Sequence, residues 1–349
     1  LIYERIKLIM AYTTINKSGD YFNTKLYTGD GTSSRNITGV GFQPDLLWIK
    51  NRNVAQSHFL FDAVRGVSKA IFSNATSAES TQIPTMSAFL SDGFTVGTDI
   101  ASNGNGNGIA TWNWKANGTG VANTDGSISS TVSANTTSGF SIVSYTGTGS
   151  TATVGHGLGV APKMIIVKRR SEVSNWDTYN SNLGNNKVIE LNTTSAAYTD
   201  NTWNSTTPTS SVFTVGNNNV NGNNVTHIAY CFAEKQGFSK FGSYTGNGNA
   251  DGAFVYTGFS PAFIIVKGIS GALNWTMVDN KRDPFNDNST NYLHPNTNGD
   301  EGVGLNFDFL SNGFKLRSNS SPTNGSGVSY IYMAFASEPL VGDNPATAR

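Results

Sequence analysis

The sequence predicts an all-β chain built from tandem antiparallel β-sandwich modules of the jelly-roll or lectin-like kind. Short apolar runs rich in β-branched residues alternate with dense Gly, Asn and Asp turn signals, and helical periodicity is nearly absent. One stretch occurs three times, which predicts three internal repeats. The copies are YTGDG (27–31) with GFQPDLLWIKNR (41–52), YTGTG (145–149) with HGLGVAPKMIIVKRR (156–170), and YTGNG (244–248) with GFSPAFIIVKGIS (258–270).

Landmark residues keep their spacing through the three copies. At each landmark the second copy follows the first by 118 residues, and the third follows the second by 99. These structural landmarks are Tyr27, Tyr145 and Tyr244, then Pro44, Pro162 and Pro261, and finally Lys50, Lys168 and Lys267. The period is that of a domain and too long for a solenoid unit, so we expect three small modules, each with its own core.

Module boundaries follow from the repeats and from the Gly- and Asn-rich segments between them. The predicted units are an N-terminal arm (1–24), modules at 25–125, 126–236 and 237–338, and a C-terminal tail (339–349). Residues 1–9 differ in composition from the rest, so we expect the true start at Met10. The alternative is a short arm that docks on a neighbouring molecule.

The elements within a module can be assigned in order. The runs LLWIK, MIIVK and FIIVK each follow a proline, which is tolerated at the start of a strand, and they are too short to favour helices. The sequences SDGF (91–94) and SNGF (311–314) predict hairpin turns that lead into strands. Each copy closes on an apolar run that predicts a buried strand. Residues 63–80 alone have a helical pattern, and we expect a short helix there.

Composition excludes several classes of function. The 23 basic and 23 acidic residues cancel, so the chain has no electrostatic footprint for nucleic acid or an anionic membrane. No apolar stretch approaches the ~20 residues of a membrane span. The single cysteine, Cys231, excludes an intrachain disulfide, and its apolar surroundings predict a buried residue and not a reactive thiol.

No motif for catalysis or cofactor binding is found in the sequence. Asp62 and Asp279 occupy similar places in their copies, but the second copy has Asn180 there. A pair of catalytic carboxylates on one copy is therefore the alternative to aspartates that cap turns. The four histidines show no metal-ligand spacing. We expect no enzymatic activity and no cofactor.

The segment 279–290 is the one candidate for a metal site. Asp279, Asp283 and Asp287 offer the hard oxygen ligands that suit Ca²⁺. Their spacing differs from that of a Ca²⁺ loop, and two neighbouring basic residues offset their charge. An exposed polar loop is the alternative interpretation.

Tryptophans are candidates for stacking against sugars. Five of the six lie in segments that predict core strands, so packing is their expected role. Trp203 lies in the polar segment DNTWNSTTPTS and is the candidate for an exposed glycan contact.

The repeated motifs resemble a known family. GFQPDLLWIKNR with FLFDAVRG, SDGFTVG and WNWKA, followed by the segment 127–170, is similar to a module common in bacteriophage structural proteins, especially of marine phages. That module is found in tail-fibre-like and other virion proteins, often in tandem, and the resemblance covers nearly all of residues 20–338. It implies a virion component and supplies no catalytic residues. The third copy departs most after Lys267, where an Asp-rich loop replaces the FDAVRG-like segment.

Taken with this resemblance, the sequence predicts a non-enzymatic phage structural protein, displayed on the virion as a tail fibre or appendage that contacts the host surface. Expected partners are further copies of the chain, a trimer being the expectation for a fibre, and other virion proteins. The expected location is the extracellular particle, assembled in the host cytoplasm. Two alternatives stay open: a capsid decoration or assembly-forming coat protein with docking arms, and a lectin-like module that binds a host-surface glycan.

Overall fold

The computed structural model describes residues 12–287, 289–341 and 345–346. These residues are almost entirely antiparallel β-strands and turns, which confirms the prediction of an all-β sandwich fold. None of the helices among them is long and apolar enough to cross a membrane.

The first module contains a main sheet and a smaller sheet. Its strands are β1 (Phe22–Thr28), β2 (Arg35–Thr38), β3 (Leu46–Asn51), β4 (Phe59–Asp62), β5 (Lys69–Phe72), β6 (Ser80–Thr81), β7 (Met86–Leu90), β8 (Gly93–Val96) and β9 (Gly108–Trp114). A 3-10 turn (Ser18–Asp20) precedes β1, and the short helix α1 (Ile100–Asn103) precedes β9. The main sheet has the order β1-β9-β3-β4-β5-β6, and the smaller sheet has the order β2-β8-β7.

The second module has the same two-sheet plan. Its strands are β10 (Val121–Asn123), β11 (Ser130–Asn135), β12 (Phe140–Thr146), β13 (Ala152–Gly155), β14 (Met164–Arg169), β15 (Trp176–Asn180), β16 (Lys187–Glu190), β17 (Tyr198–Thr199), β18 (Val212–Val215) and β19 (Thr226–Phe232). Helix α2 (Asn218–Asn221) precedes β19. The main sheet is β10-β11-β12-β19-β14-β15-β16-β17, and the smaller sheet is β13-β18.

The third module follows the same plan, with its outer strand pair joined to the main sheet by a single bridge between Met277 and Leu293. Its strands are β20 (Ser239–Thr245), β21 (Phe254–Tyr256), β22 (Phe259–Gly268), β23 (Trp275–Asp279), β24 (Asn291–Tyr292), β25 (Gly302–Val303), β26 (Phe307–Leu310), β27 (Gly313–Leu316) and β28 (Ser329–Pro339). Helix α3 (Ser321–Asn324) precedes β28. The main sheet is β20-β28-β22-β23, the smaller sheet is β21-β27-β26, and β24 pairs with β25.

The centre of each main sheet has one strand order. The last strand of each module lies between an early strand and the Pro-led strand. The three orders are β1-β9-β3-β4, β12-β19-β14-β15 and β20-β28-β22-β23. Register agrees as well, because the three landmark lysines pair at matching positions of the last strands. The pairs are Lys50 with Ala110, Lys168 with Ile228, and Lys267 with Ile331.

Strand bounds differ slightly from the predicted module limits. β1 begins at Phe22, inside the predicted arm, and β10, expected in the first module, pairs with β11 in the main sheet of the second. The described part of the arm packs on its own chain, since Ile15 is buried in the core and the Tyr12 hydroxyl donates to the Gly258 carbonyl oxygen at 2.8 Å. Residues 1–11, with the expected start at Met10, lie outside the described residues.

The short helix predicted for residues 63–80 is wrong. Gly66 and Ser68 have φ values of 87° and 64°, in the left-handed region that a right-handed helix cannot contain. Residues 69–72 form β5 and pair with β4. The predicted hairpins are confirmed, since residues 91–92 join β7 to β8 and residues 311–312 join β26 to β27.

Each main sheet is covered on its outer face by the smaller sheet of the same module. In the first module, Leu47 and Ile49 of β3 share a buried cluster with Phe94 and Val96 of β8. Corresponding residues form the outer cores of the other modules. The central strands are apolar on both faces, so a second burial partner is still required.

The inner faces of all three main sheets pack together in one common core. Trp48, Ile166 and Ile265 occupy equivalent positions on β3, β14 and β22, and all three belong to this single cluster. The expectation that each module has its own core is therefore only half right. The outer core of each sandwich is formed by residues of one module, whereas the inner core is formed by all three modules.

Three equivalent aromatic side chains meet where the sheets converge. Trp114, Phe232 and Phe335 pair with matching positions of the Pro-led strands. Their ring centroids are separated by 6.4 Å for Trp114 and Phe232, 5.7 Å for Trp114 and Phe335, and 6.0 Å for Phe232 and Phe335. Each module thus contacts both of the others through the same position, and the chain closes on itself.

Because the common core joins the modules, Phe232→Ala is expected to destabilise the whole chain. Loss of a buried phenylalanine costs about 3–5 kcal/mol, and this cost falls on an interface of three modules. Differential scanning calorimetry should show one transition that moves to lower temperature. Ile83→Ala, at a position 66% exposed, is the control. Three separate transitions, of which Phe232→Ala moves only one, would contradict the shared core.

Candidate functional site

The repeated Tyr-Thr-Gly stretch has a structural role, because it joins β1, β12 and β20 to the short helices α1, α2 and α3. The Tyr27, Tyr145 and Tyr244 hydroxyls donate to carbonyl oxygens of Ser102, Val220 and Thr323 at 2.6, 2.7 and 2.6 Å, respectively. These carbonyls belong to α1, α2 and α3. A Cβ atom at Gly29, two residues after Tyr27, would collide with the Gly104 carbonyl oxygen, and the same holds in the other copies. The glycines therefore allow close approach of the backbone at this position.

The prolines and lysines of the repeat are structural as well. Pro44 and Pro162 lie just before β3 and β14, and Pro261 lies at a β-bulge of β22. The three landmark lysines are fully buried, and burial lowers the pKa of each to about 8.

Each landmark lysine donates to a backbone carbonyl of a neighbouring module. Lys50 reaches Asn298 of the third module at 3.2 Å, Lys168 reaches Thr76 of the first at 3.1 Å, and Lys267 reaches Thr194 of the second at 3.1 Å. The contacts run in one direction around the common core. The lysines thus connect each module to a loop of a neighbouring module.

A buried charged network joins the first module to the second. Arg65 Nε lies 2.5 Å from Asp62 Oδ2, and Arg65 Nη1 lies 3.2 Å from Glu79 Oε2. Arg170 of the second module lies 3.0 Å from the same Glu79 oxygen. Burial opposes the ionisation of Glu79, but the hydrogen bond from Arg170 and the charge of Arg65 outweigh it and lower its pKa. The Tyr230 hydroxyl also donates to Asp62, at 2.8 Å.

An equivalent network joins the third module to the first. Arg282 Nε lies 2.6 Å from Asp279 Oδ2, and Arg282 Nη1 lies 2.9 Å from Glu301 Oε2. Arg52 of the first module lies 2.6 Å from Glu301 Oε1. Trp112 Nε1 donates to Asp279 at 3.1 Å, in the place where Tyr230 donates to Asp62.

The interface between the second and third modules lacks this network. Its equivalent positions hold Asn180, Leu183, Ala197 and Ile269, and the last three pack against the common core. The backbone is nevertheless the same, because the amides of Glu79, Glu301 and Ala197 donate to the carbonyls of Arg170, Arg52 and Ile269. One fold thus accommodates a buried charged network at two interfaces and an apolar cluster at the third.

Sequence reasoning missed both networks, although a signal was present. Asp62 and Arg65 in the first copy, and Asp279 and Arg282 in the third, share a D-x-x-R spacing at one place of the repeat. Nothing in the sequence showed that a glutamate and a second arginine would join each pair.

The three aspartates of the candidate Ca²⁺ loop do not converge. Asp279 is paired with Arg282, and Asp283 accepts hydrogen bonds from the amide and side chain of Asn291 at 2.8 and 2.7 Å. Asp287 accepts from the Ser289 amide. Burial raises the pKa of Asp283 to about 6. In the described ranges no group of three or more His, Cys, Asp and Glu side chains is arranged to hold a metal ion.

Trp203 is buried, so its predicted role as an exposed glycan contact is wrong. Its side chain is only 2% exposed, its Nε1 donates to the Lys187 carbonyl oxygen at 3.1 Å, and its ring meets the edge of Tyr179. The other five tryptophans are buried as predicted. Cys231 is also buried as predicted, and burial raises the pKa of its thiol.

Asp177 is a buried acid on the second module. It lies opposite Glu190 in the pairing of β15 with β16, is 1% exposed, and its Oδ1 accepts no hydrogen bond from the described residues. Burial, together with the nearby charges of Glu190 and Asp200, raises its pKa to about 7 against the smaller opposing effect of Arg169 and Lys168. The protonated form is therefore favoured by the fold.

The third module carries a groove of about 730 Å³ on its outer surface. Its lining comes from the loop after β20, the loop after β23, and strands β26 and β27 with the residues beside them. The lining residues are Ala250, Asp251, Asn286, Asn306, Asp308, Leu310 and Arg317. This groove, named the outer groove below, is the candidate binding site.

Charges in the outer groove are paired. Arg317 Nε lies 2.5 Å from Asp308 Oδ2, and Arg317 Nη1 lies 3.4 Å from Asp251 Oδ1. Lys315 Nζ lies 2.6 Å from the same Asp251 oxygen, and this ion pair lowers the pKa of Asp251.

Asp308, Lys315 and Arg317 have uncharged counterparts in the first module. Asp308 pairs with Lys315 across β26 and β27, where the first module pairs Ala88 with Thr95. The position of Arg317 corresponds to Gly97 in the first module and to Gly216 in the second. The equivalent strands of the other two modules carry no charge at the positions of Lys315 and Arg317, so the fold itself does not require these two charges.

The interface between the second and third modules is closed by apolar residues. The charged network between the first and second modules should therefore be replaceable when all of its residues are changed together. Arg65→Leu alone leaves buried carboxylates without their partner and should cost about 3–5 kcal/mol. Combining Asp62→Asn, Arg65→Leu, Glu79→Ala and Arg170→Ile should bring the free energy of unfolding back to within about 2 kcal/mol of the wild-type value.

Urea unfolding followed by tryptophan fluorescence measures both variants. Lys17→Ala is the control, because Lys17 forms an exposed ion pair with Asp20 that should contribute little. A fourfold variant no more stable than Arg65→Leu would show that the network cannot be replaced.

Asp177→Asn should stabilise the protein in alkaline but not in acidic solution. The folded-state pKa of about 7 exceeds the ordinary value of 3.8, so the folded protein binds more protons between these values. The free energy of unfolding therefore falls as pH rises through this range, and the penalty is complete above about pH 7. Removing the charge should restore on the order of 2 kcal/mol at pH 8 and little at pH 4.

Chemical unfolding at a series of pH values measures this difference, with Asp300→Asn at an exposed position as the control. A stability difference between Asp177→Asn and wild type that stays constant across pH would contradict the assignment of a buried, protonated acid.

A family model described as a domain of unknown function (DUF7483) matches residues 17–339 of the chain. The match covers most of the sequence, so the protein belongs to this family. No curated protein matches the chain.

Proposed function

We propose that the protein is a non-enzymatic structural component of a bacteriophage particle, displayed as a tail fibre or appendage that contacts the host surface. The observation that carries the proposal is the use of the repeated polar residues. Landmark lysines, tyrosines and glycines, and most buried charges, connect or close the three modules. A closed unit with a shared core is suited to a rigid display role.

The resemblance of the repeat motifs to phage structural modules supplies the context of a virion. Rigidity supports the appendage over a flexible linker, because relative motion of the modules would open the common core. Self-association into a homo-oligomer, with a trimer as the form expected of a fibre, is part of the proposal and is measured by light scattering on the purified chain.

A capsid decoration protein is less well supported by the geometry. That role was expected to use residues 1–24 or 338–349 as docking arms. Tyr12 and Ile15 instead pack on their own chain, and Pro339 continues β28 into a pairing with β22. These described parts of the arms are engaged within the molecule.

Mass spectrometry of purified phage particles tests the proposed location. The protein is expected in the particle at tens of copies or fewer, as for a tail appendage, and antibody labelling in electron microscopy should mark the tail. Hundreds of copies distributed over the head would support the decoration protein. Presence in the lysate together with absence from purified particles would reject a structural role.

A further inference from the structure

We propose that the outer groove of the third module binds a neutral saccharide. The inference deepens the proposed function, on which it relies for the source of the saccharide, the host surface. Binding itself is a property of the groove and can be measured on the purified chain.

Paired charges in the groove favour an uncharged, polar ligand. Asp251 and Asp308 are balanced by Lys315 and Arg317 through contacts of 2.5 to 3.4 Å. A polyanion would meet the carboxylates of Asp251 and Asp308 here, and a polycation would meet the Arg317 guanidinium. Hydroxyl groups both donate and accept, so a polyol can hydrogen-bond to both kinds of side chain without breaking the ion pairs.

An exposed aromatic residue directly precedes a lining residue of the groove in the chain. Phe285 is 74% exposed, which is unusual for so large an apolar side chain. Its neighbour Asn286 lines the groove and is fixed to the backbone of Phe309 by hydrogen bonds of 3.0 and 2.9 Å. An exposed apolar ring one residue away from the polar lining suits a pyranose, which has an apolar C–H face and a polar rim.

The size of the groove agrees with this ligand class. Its volume of about 730 Å³ falls within the range of about 300–1,000 Å³ that is typical of small-molecule sites. Leu310 and Ala250 add apolar lining between the charged residues.

The test uses the full chain on a panel of immobilised oligosaccharides. Neutral oligomers of glucose, galactose, mannose and N-acetylglucosamine form one set, and sialylated and sulfated glycans form the other. Wild type is expected to bind members of the neutral set. Phe285→Ala and Arg317→Ala should each weaken this binding by about tenfold or more, whereas Phe285→Trp should retain it because the aromatic face is kept.

Arg35→Ala is the matched control, since Arg35 forms a surface ion pair with Asp30 on the outer side of the first module. It should bind like wild type. Thermal melts distinguish loss of folding from loss of binding, and the exposure of Phe285 makes Phe285→Ala safe for the fold.

Three results would overturn the proposal: no binding to any neutral oligosaccharide, binding to the charged set alone, or binding to neutral glycans that Phe285→Ala and Arg317→Ala leave unchanged. None of them depends on the presence of the protein in a virion, so failure of the groove and failure of the proposed virion role are separate results.

Discussion

Burial of the inner faces of the three main sheets is the constraint on which the structure depends. The Pro-led strands β3, β14 and β22 are apolar on both faces, and the smaller sheet of each module can cover only one. The other two modules provide the remaining cover. Each large apolar side chain removed from water contributes about 1.5–3 kcal/mol, so the shared cluster is a large part of what holds every module together. The module is therefore a unit of repetition but not a unit of stability.

The polar contacts at the interfaces follow from this closure. The landmark lysines are buried where the sheets meet neighbouring loops, and backbone carbonyls of those loops accept their hydrogen bonds. The charged networks are of another kind, because the third interface closes with Leu183, Ala197 and Ile269 in their place. Buried ion pairs often add little net stability over apolar residues of similar size. Replacing one residue of such a network at a time destabilises the fold, because the remaining charge is left buried without its partner. This cost is sufficient to retain the networks once they are present.

The fold class, the landmark positions and the buried tryptophans of the strands could be predicted from sequence, because they depend on local patterns repeated three times. The shared core could not, since an apolar strand face does not show which surface will cover it. The prediction of an exposed Trp203 was wrong for a related reason. Its sequence neighbours are polar, yet in the folded chain its ring packs against Tyr179 and its Nε1 donates to the Lys187 carbonyl oxygen. Asp279 was a candidate Ca²⁺ ligand in the sequence, but its charge is paired with Arg282, and Glu301 reaches Arg282 only through tertiary structure.

The repeat separates structural residues from functional ones within a single chain. A residue type present at one position in all three modules, such as the landmark lysine, is explained by the fold they share. The charged residues of the outer groove have Ala88, Thr95 and Gly97 as counterparts in the first module, which forms the same strand pair without them. Shared architecture therefore cannot account for the charges on the third module. These charges face a surface that is concave, polar and balanced in charge. A role of that surface is the explanation that remains for them. This is the physical basis for looking for a ligand on the third module.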